Sequence, residues 1–256
     1  MSNFPEFKSD NNNLLSLHGL DNFQVLWQLD IPWFEEPNHR RNGWSGVSRM
    51  ELEDESGQKK GLFIKRQENH NHRSLLHPIQ GIPTFRREFK NFQNLEKAQV
   101  PTLNPIFYSE RKANSGFQAI LVTEALDQHI SAEDYFKLQH PQEEVHHVLE
   151  SMATASRLLH NANFRHGCLY PKHFFINASK PELVDVRIID LEKLRWLPIR
   201  SAVMFNDVDR LIRRRDSISP EFIDYFVQQY LTGPGKSLRN SSLDSKLQLS
   251  LKKMHG

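Results

Sequence analysis

The chain has 256 residues, 25% of them charged and 38% hydrophobic, with a formal net charge of +2. That balance describes a globular chain with room for one domain or two small lobes, and gives no electrostatic argument for a nucleic-acid partner, so none is expected. The single cysteine, Cys168, excludes an intramolecular disulfide.

The opening Met1-Ser2-Asn3-Phe4-Pro5-Glu6 carries no charged-then-apolar signal. No apolar run approaches the ~20 residues of a membrane span, so the expected compartment is the cytoplasm. Residues 1–22 are polar and Asn-rich and read as a loosely held leader. From 23 to 66 the pattern is that of strands. Met50-Glu51-Leu52-Glu53 alternates, Asp54-Glu55-Ser56-Gly57-Gln58-Lys59 has turn chemistry, and Gly61-Leu62-Phe63-Ile64-Lys65 is an apolar run, together an antiparallel hairpin. Thr84, after Pro83, caps a helix to about Ala98. Ile106-Phe107-Tyr108 and Ala119-Ile120-Leu121-Val122-Thr123 make two further strands around the turn Ala113-Asn114-Ser115-Gly116. From Ser131 the period is helical, with Val145, Val148, Leu149, Met152 and Leu159 on one stripe. The change of period near Leu126 divides 23–126 from 127–232, and residues 233–256, rich in Ser, Lys and Asn, read as a flexible tail. The basic clusters His39-Arg40-Arg41, Arg86-Arg87 and Arg213-Arg214-Arg215 read as solvated faces.

One residue breaks the pattern of the predicted helix after Thr84. On a wheel of about 100° per residue, Phe85, Phe89, Phe92 and Leu95 span an arc of about 120°. Glu88 falls inside it, while Arg86, Arg87, Lys90, Gln93 and Asn94 lie outside. A carboxylate on an apolar face is costly unless paired, and Lys65 on the neighbouring strand is the natural partner. The alternative is a carboxylate at the stripe's edge that reaches solvent.

The stretch from His160 to Asp190 carries the most information. Leu158-Leu159-His160 ends an amphipathic helix, His166-Gly167 makes a turn, and Leu169-Tyr170-Pro171-Lys172-His173 is a basic and apolar loop. Two strand-like runs follow, Phe174-Phe175-Ile176 and Val186-Arg187-Ile188-Ile189, the second delivering Asp190. This order resembles the core of the protein-kinase-like superfamily. His166-Gly167-Cys168-Leu169-Tyr170-Pro171-Lys172-His173 is similar to the lipopolysaccharide kinase (Kdo/WaaP) family in its InaA-like branch. Gly43-Trp44-Ser45-Gly46-Val47-Ser48, Phe63-Ile64-Lys65-Arg66-Gln67-Glu68-Asn69-His70 and Pro83-Thr84-Phe85-Arg86-Arg87-Glu88-Phe89 extend the likeness over roughly residues 40–215.

The resemblance implies an α+β, bilobal protein-kinase-like fold, with an antiparallel-sheet N-lobe carrying one main helix and a mainly helical C-lobe. It implies an ATP-dependent phosphotransferase using Mg²⁺, with a sugar hydroxyl of a glycolipid as acceptor. The partners are then a nucleotide and a glycolipid or other sugar, with peripheral contact at the inner face of the inner membrane. Lys65 and Glu88 would form the ion pair that meets the nucleotide phosphates, beneath a turn built on Gly43 and Gly46. Thr123-Glu124-Ala125-Leu126 would be the adenine-facing link, with Glu124 and Leu126 in it. Asp190 would hold the metal. His173 stands where a second loop ligand is usually Asn; imidazole is a poor Mg²⁺ ligand, so a hydrogen bond to Asp190 or to a phosphate is the alternative role. His166 would brace the loop. Asp207 resembles the buried helix-start aspartate that pins this loop, or is an N-cap with Asn206. The short interval from Asp190 to Asp207, without an Ala-Pro-Glu element, leaves little room for a peptide-docking segment.

Cys168 departs from the pattern, because the catalytic-loop position calls for Asp. A thiol with a reference pKa of about 8.5 is mostly neutral at pH 7 unless a cation lowers it, and Lys172 and His166 are the nearby candidates. Losing a general base costs ~10²–10⁴-fold, which a slow kinase survives. Glu192 is a substitute base. The runner-up reading is a pseudokinase, the same fold serving as a binding module in an envelope or acid stress response. A third makes His166, His173 and Asp190 a transition-metal site, although the spacing matches no standard zinc pattern. Gly233-Pro234-Gly235-Lys236-Ser237 looks like a phosphate loop but has Tyr230 where a glycine is needed.

Overall fold

A computed structural model describes residues 6–9, 13–40, 43–74, 77–180, 183–215, 217–233 and 241–255. It divides into two compact units, Met1–Gln93 with Leu103–Leu126, and Asn94–Thr102 with Asp127–Gly256.

Among the described residues the first unit begins with strand β1 (Glu6–Lys8) and two short helices, α1 (Asn13–Leu17) and α2 (Phe23–Gln28). Strands β2 (Trp33–Arg40), β3 (Gly43–Glu53) and β4 (Lys59–Glu68) follow, then the hairpin β5 (Asn71–Ser74) and β6 (His77–Pro83). Helix α3 (Thr84–Lys97) precedes β7 (Pro105–Ala113) and β8 (Gly116–Glu124). Six strands form one antiparallel sheet in the order β1-β7-β8-β4-β3-β2. The β3–β4 hairpin closes through Asp54, whose carboxylate accepts the amides of Ser56 at 2.9 Å and Gln58 at 3.0 Å, so that Glu53 pairs with Lys59.

The alternation of β4 divides the unit. Leu62 and Ile64 join Ile106, Phe107, Ile120 and Val122 in one core, closed by Leu15 of α1 and Leu26 of α2, both 0% exposed. The expected polar leader therefore contains structured segments, Glu6–Lys8 and Asn13–Leu17, and residues 23–28, expected as strand, form a helix. Asn22 supplies its N-cap, accepting the Val25 N–H at 3.0 Å. At its other end Arg66, next on the same face of β4, donates to the carbonyls of Trp27 (3.2 Å) and Leu29 (2.7 Å) and lies over the Trp33 ring.

The opposite face meets α3, where Phe89 stacks on Tyr108 of β7 at 4.6 Å between ring centres. Gln67 caps this helix in place of Thr84: its Oε1 accepts the Phe85 N–H at 3.0 Å and the Thr84 hydroxyl at 2.6 Å.

The second unit contains β9 (Ile130–Ser131), α4 (Ala132–Tyr135), the long α5 (Gln142–Asn161), β10 (Phe164–Arg165), β11 (Phe174–Asn177), β12 (Asp185–Ile188) and β13 (Arg195–Trp196). Helices α6 (Arg200–Arg213), α7 (Pro220–Thr232) and α8 (Ser241–His255) complete it. Single 3₁₀ turns at Pro171–His173 and Leu191–Lys193 flank the β11–β12 hairpin. The stripe Val145, Val148, Leu149, Met152 and Leu159 of α5 is buried. Arg157 donates to the Tyr230 carbonyl at 2.5 Å and His146 stacks on Tyr225, fixing α5 to α7. Leu243, Leu247 and Leu251 recur at four-residue intervals on α8 and are buried, so the expected flexible tail contains a packed amphipathic helix. Apart from Gly233, the phosphate-loop look-alike lies outside the described residues. Among the described residues no helix is long and apolar enough to cross a membrane.

Candidate functional site

In the first unit, β4 presents Phe63, Lys65 and Gln67 on the face towards α3. Gln67 fixes the first turn of α3, and Glu88, one turn further along, then lies beside Lys65. Lys65 Nζ donates to Glu88 Oε1 at 2.5 Å, with the side chains 20% and 17% exposed. Glu88 is thus held by a cation at the edge of the apolar face. Arg86, expected as part of a solvated basic cluster, instead forms an ion pair with Glu110 of β7, which also accepts the Tyr108 hydroxyl at 2.5 Å. That contact, 24 residues apart, had no local signal.

Gly43 pairs with Arg40 at the end of the β2–β3 hairpin, and Gly46 pairs with Arg66 of β4. Both glycines lie within β3. A Cβ on Gly43 would meet the Glu68 and Asn69 backbone, and one on Gly46 would stand 2.6 Å from the Trp33 ring. The missing side chains make room for the neighbouring backbone and for an indole. The Glu124 side chain is engaged by Asn104, whose Nδ2 donates to it at 3.0 Å. The Ala125 N–H donates to the Gly61 carbonyl at 2.8 Å. Leu126 closes the first unit.

In the second unit, the turn after β10 is built on Gly167, whose φ of +84° suits glycine. Helix α6 holds this turn by both of its polarities. Asp207 accepts the N–H of His166 at 2.6 Å and of Gly167 at 2.9 Å, while Arg210, one turn on, donates to the Gly167 carbonyl. His160 Nε2 donates to Asp207 at 3.3 Å and its Nδ1 accepts the Tyr230 hydroxyl at 2.7 Å. Asp207 lies mid-helix, with Ile199 as the N-cap of α6, so it is a loop-binding group and not a cap. Arg210 was missed in the sequence, for nothing local distinguishes it from the neighbouring arginines.

His166 Nε2–H donates to the Ile189 carbonyl at 2.9 Å, bracing the residue before Asp190. Burial pushes this imidazole down from its ordinary value and keeps it neutral. His173 Nδ1–H donates to the Cys168 carbonyl at 2.6 Å, and its Nε2 faces Asp190 Oδ2 at 3.3 Å. Cys168 Sγ lies 3.8 Å from the same oxygen. Asp190 itself is left-handed, with φ +62°, and its side chain is 41% exposed. Burial and Asp190 push the Cys168 thiol up to about 12, and the cations acting against this are Lys193 and Arg210. The expected activation by Lys172 and His166 is therefore absent: Lys172 is exposed and His166 is neutral. Glu192 is also exposed.

Asp190 fits a Mg²⁺ ion that draws the rest of its shell from phosphate oxygens and water. His173 does not, with one nitrogen committed to a carbonyl and the other a borderline nitrogen donor turned on Asp190. A separate cavity of about 540 Å³ in this unit, lined by Glu150, Thr154, Leu158 and Gln229, contains none of these residues.

Residues 24–230 match the sequence profile of the lipopolysaccharide kinase (Kdo/WaaP) family. The chain is 34% identical over 196 residues to Protein InaA of Escherichia coli K12, covering 75% of this chain and 87% of that one. It is 26% identical over 174 residues to the lipopolysaccharide core heptose(I) kinase WaaP of Pseudomonas aeruginosa, covering 61% and 62%. A solved structure of WaaP in complex with acyl carrier protein superimposes with a TM-score of 0.66 at 17% identity, covering 98% of this chain and 100% of that one. The fold is thus kinase-like.

Proposed function

The chain belongs to the lipopolysaccharide kinase (Kdo/WaaP) family, and from that premise we propose that it is an ATP- and Mg²⁺-dependent phosphotransferase acting on a sugar hydroxyl of a glycolipid. The observation that carries the reading is the Lys65–Glu88 ion pair. Glu88 holds an ammonium on a rigid strand, oriented by a helix that Gln67 has already fixed. Such a group suits the phosphates of a nucleotide. Asp190 provides the carboxylate for the metal. Bound Mg²⁺ would neutralise charge on the phosphates. Asp207 and Arg210 hold the loop that carries Cys168.

Cys168, a neutral thiol, does not remove a proton from the acceptor at pH 7. Transfer then depends on positioning and electrostatics, and is slower by ~10²–10⁴-fold than with a loop carboxylate. The same observation favours a second reading, a pseudokinase that binds nucleotide without transfer. A glycolipid acceptor would bring a cytoplasmic chain to the inner face of the inner membrane as a peripheral protein.

Calorimetry of ATP binding with and without Mg²⁺, followed by phosphate transfer to purified lipopolysaccharide core oligosaccharide, tests both readings. Mg²⁺-dependent binding with slow transfer is expected. Binding with no transfer would favour the pseudokinase, and absence of ATP binding would remove both.

A further inference from the structure

We propose that His166, Cys168, His173 and Asp190 form a binding site for a zinc-class transition-metal ion that needs no nucleotide. A ring nitrogen from each histidine and Cys168 Sγ lie within 4.8 Å of one another, and all three residues are buried. Asp190 Oδ2 stands 3.3 Å from His173 Nε2 and 3.8 Å from Cys168 Sγ. Around a tetrahedral Zn²⁺, with bonds of ~2.3 Å to sulfur and ~2.0–2.2 Å to nitrogen and oxygen, adjacent ligand atoms lie ~3.3–3.6 Å apart. The two edges that meet at Asp190 Oδ2 are already close to those lengths. The edges among His166, Cys168 and His173 are no longer than 4.8 Å.

The hydrogen bonds point the same way. His166 Nε2–H and His173 Nδ1–H each donate to a backbone carbonyl, of Ile189 and Cys168 respectively. The remaining nitrogen of the neutral His166 ring therefore carries a lone pair, and that of His173 faces Asp190 Oδ2. Donation of the second ring nitrogen to a carbonyl is how metal-binding histidines are oriented. His166 Nδ1 is buried and has no hydrogen-bond partner among the described residues, in a side chain that is 0% exposed. Such a group is costly unless something binds it. The phosphotransfer reading gives this nitrogen nothing to do.

The donor set selects the ion. One sulfur and two imidazole nitrogens disfavour Mg²⁺ and suit zinc or its neighbours. The spacing of 166, 168 and 173 matches no standard zinc pattern because the cluster is assembled by a 3₁₀ turn, with Asp190 returned to it by the β11–β12 hairpin. On binding, the Cys168 thiol releases its proton to solvent and a metal–sulfur bond forms, with no change of oxidation state. Because Asp190 is shared, occupancy would also withdraw it from Mg²⁺; that consequence rests on the function proposed above, while metal binding itself does not.

The test is titration of metal-free protein with Co²⁺, a spectroscopic substitute for zinc, in the absence of nucleotide. One equivalent should produce a thiolate-to-cobalt charge-transfer band that Zn²⁺ displaces. Since Cys168 is the single cysteine, the band reports this site and not the other histidines of the chain. The band should vanish in Cys168→Ser, and the affinity should fall roughly 10-fold or more in His173→Ala. Zn²⁺ should raise the melting temperature of the wild type and not of Cys168→Ser, a near-isosteric change whose metal-free melt checks the fold. A cobalt spectrum without a thiolate band, or one that survives in Cys168→Ser, would mean adventitious surface binding and overturn the site. Mg²⁺–ATP calorimetry is unaffected by that result, so the two proposals fail separately.

Discussion

Cys168 and Asp207 are two loop-associated residues whose surroundings shift their protonation in opposite directions. Cys168 is pushed up to about 12 by burial and Asp190 in the metal-free protein, which keeps the thiol neutral at pH 7. It therefore makes no contribution as a base. Cys168→Ala should leave phosphate transfer within about 3-fold of the wild type, with no rise in rate between pH 7 and 9, whereas Cys168→Asp should raise it towards the ~10²-fold of a loop carboxylate. A rate that climbs with pH in the wild type and collapses in Cys168→Ala would show an active thiolate instead. For Asp207, burial raises the carboxyl, but hydrogen bonds from His160 and from the amides of Gly167 and His166 outweigh it and hold it below its ordinary value. Its contribution is thus complete above an unfolded value of about 3.9 and is lost as pH falls through the folded value. Asp207→Asn should cost about 3 kcal/mol at pH 7, because a buried amide loses its acceptor. In urea unfolding, the gap between Asp207→Asn and wild type should narrow as the pH is lowered below about 4.

At the scale of elements, α3 and β4 behave as one device. Gln67 fixes where the helix starts, Arg86 ties it to Glu110, and Glu88 then reaches Lys65. Lys65→Met and Glu88→Gln should each weaken nucleotide binding about 10-fold, and the double variant should be little worse than either. Additive losses in calorimetry would mean that the two residues act separately. Helices α1 and α2 form a second device, covering the other sheet face with Leu15 and Leu26. Leu26→Ala should cost about 2–4 kcal/mol in urea unfolding, as expected for a cavity in a closed core and not for a surface helix. A loss below about 0.5 kcal/mol would mean that the helix is only lightly attached.

For the whole molecule, ligand linkage is the most direct measure of function. Mg²⁺–ATP at 100 times its Kd should stabilise the protein by about 2.7 kcal/mol, a rise of about 5–10 °C in melting temperature for a chain of this size. Asp190→Asn should retain less of the rise, because ATP alone lacks the metal contact. An identical melt with and without Mg²⁺–ATP would remove the nucleotide from this protein's function.

By itself the sequence determined what short-range pattern can encode. The period-2 run of β3 and β4, the stripe of α5, the misplaced carboxylate Glu88 and the order of motifs from Gly43 to Asp190 all lie within windows where spacing translates directly into a face of a strand or helix. Through the motif order, the family was legible as well. Tertiary structure decided the rest. The polar ends became β1, α1 and α8 because a few apolar residues, Leu15 among the first and Leu243, Leu247 and Leu251 among the last, suffice once a face awaits covering. Gly46 proved to accommodate Trp33, Arg86 to neutralise a buried Glu110, and Arg210 to grip a turn 43 residues away. The state of Cys168 and its convergence with His166, His173 and Asp190 belong to the same class. Each depends on burial and on groups brought together by chain closure, and neither desolvation nor a lone pair's direction has any counterpart in the spacing of residues along a chain.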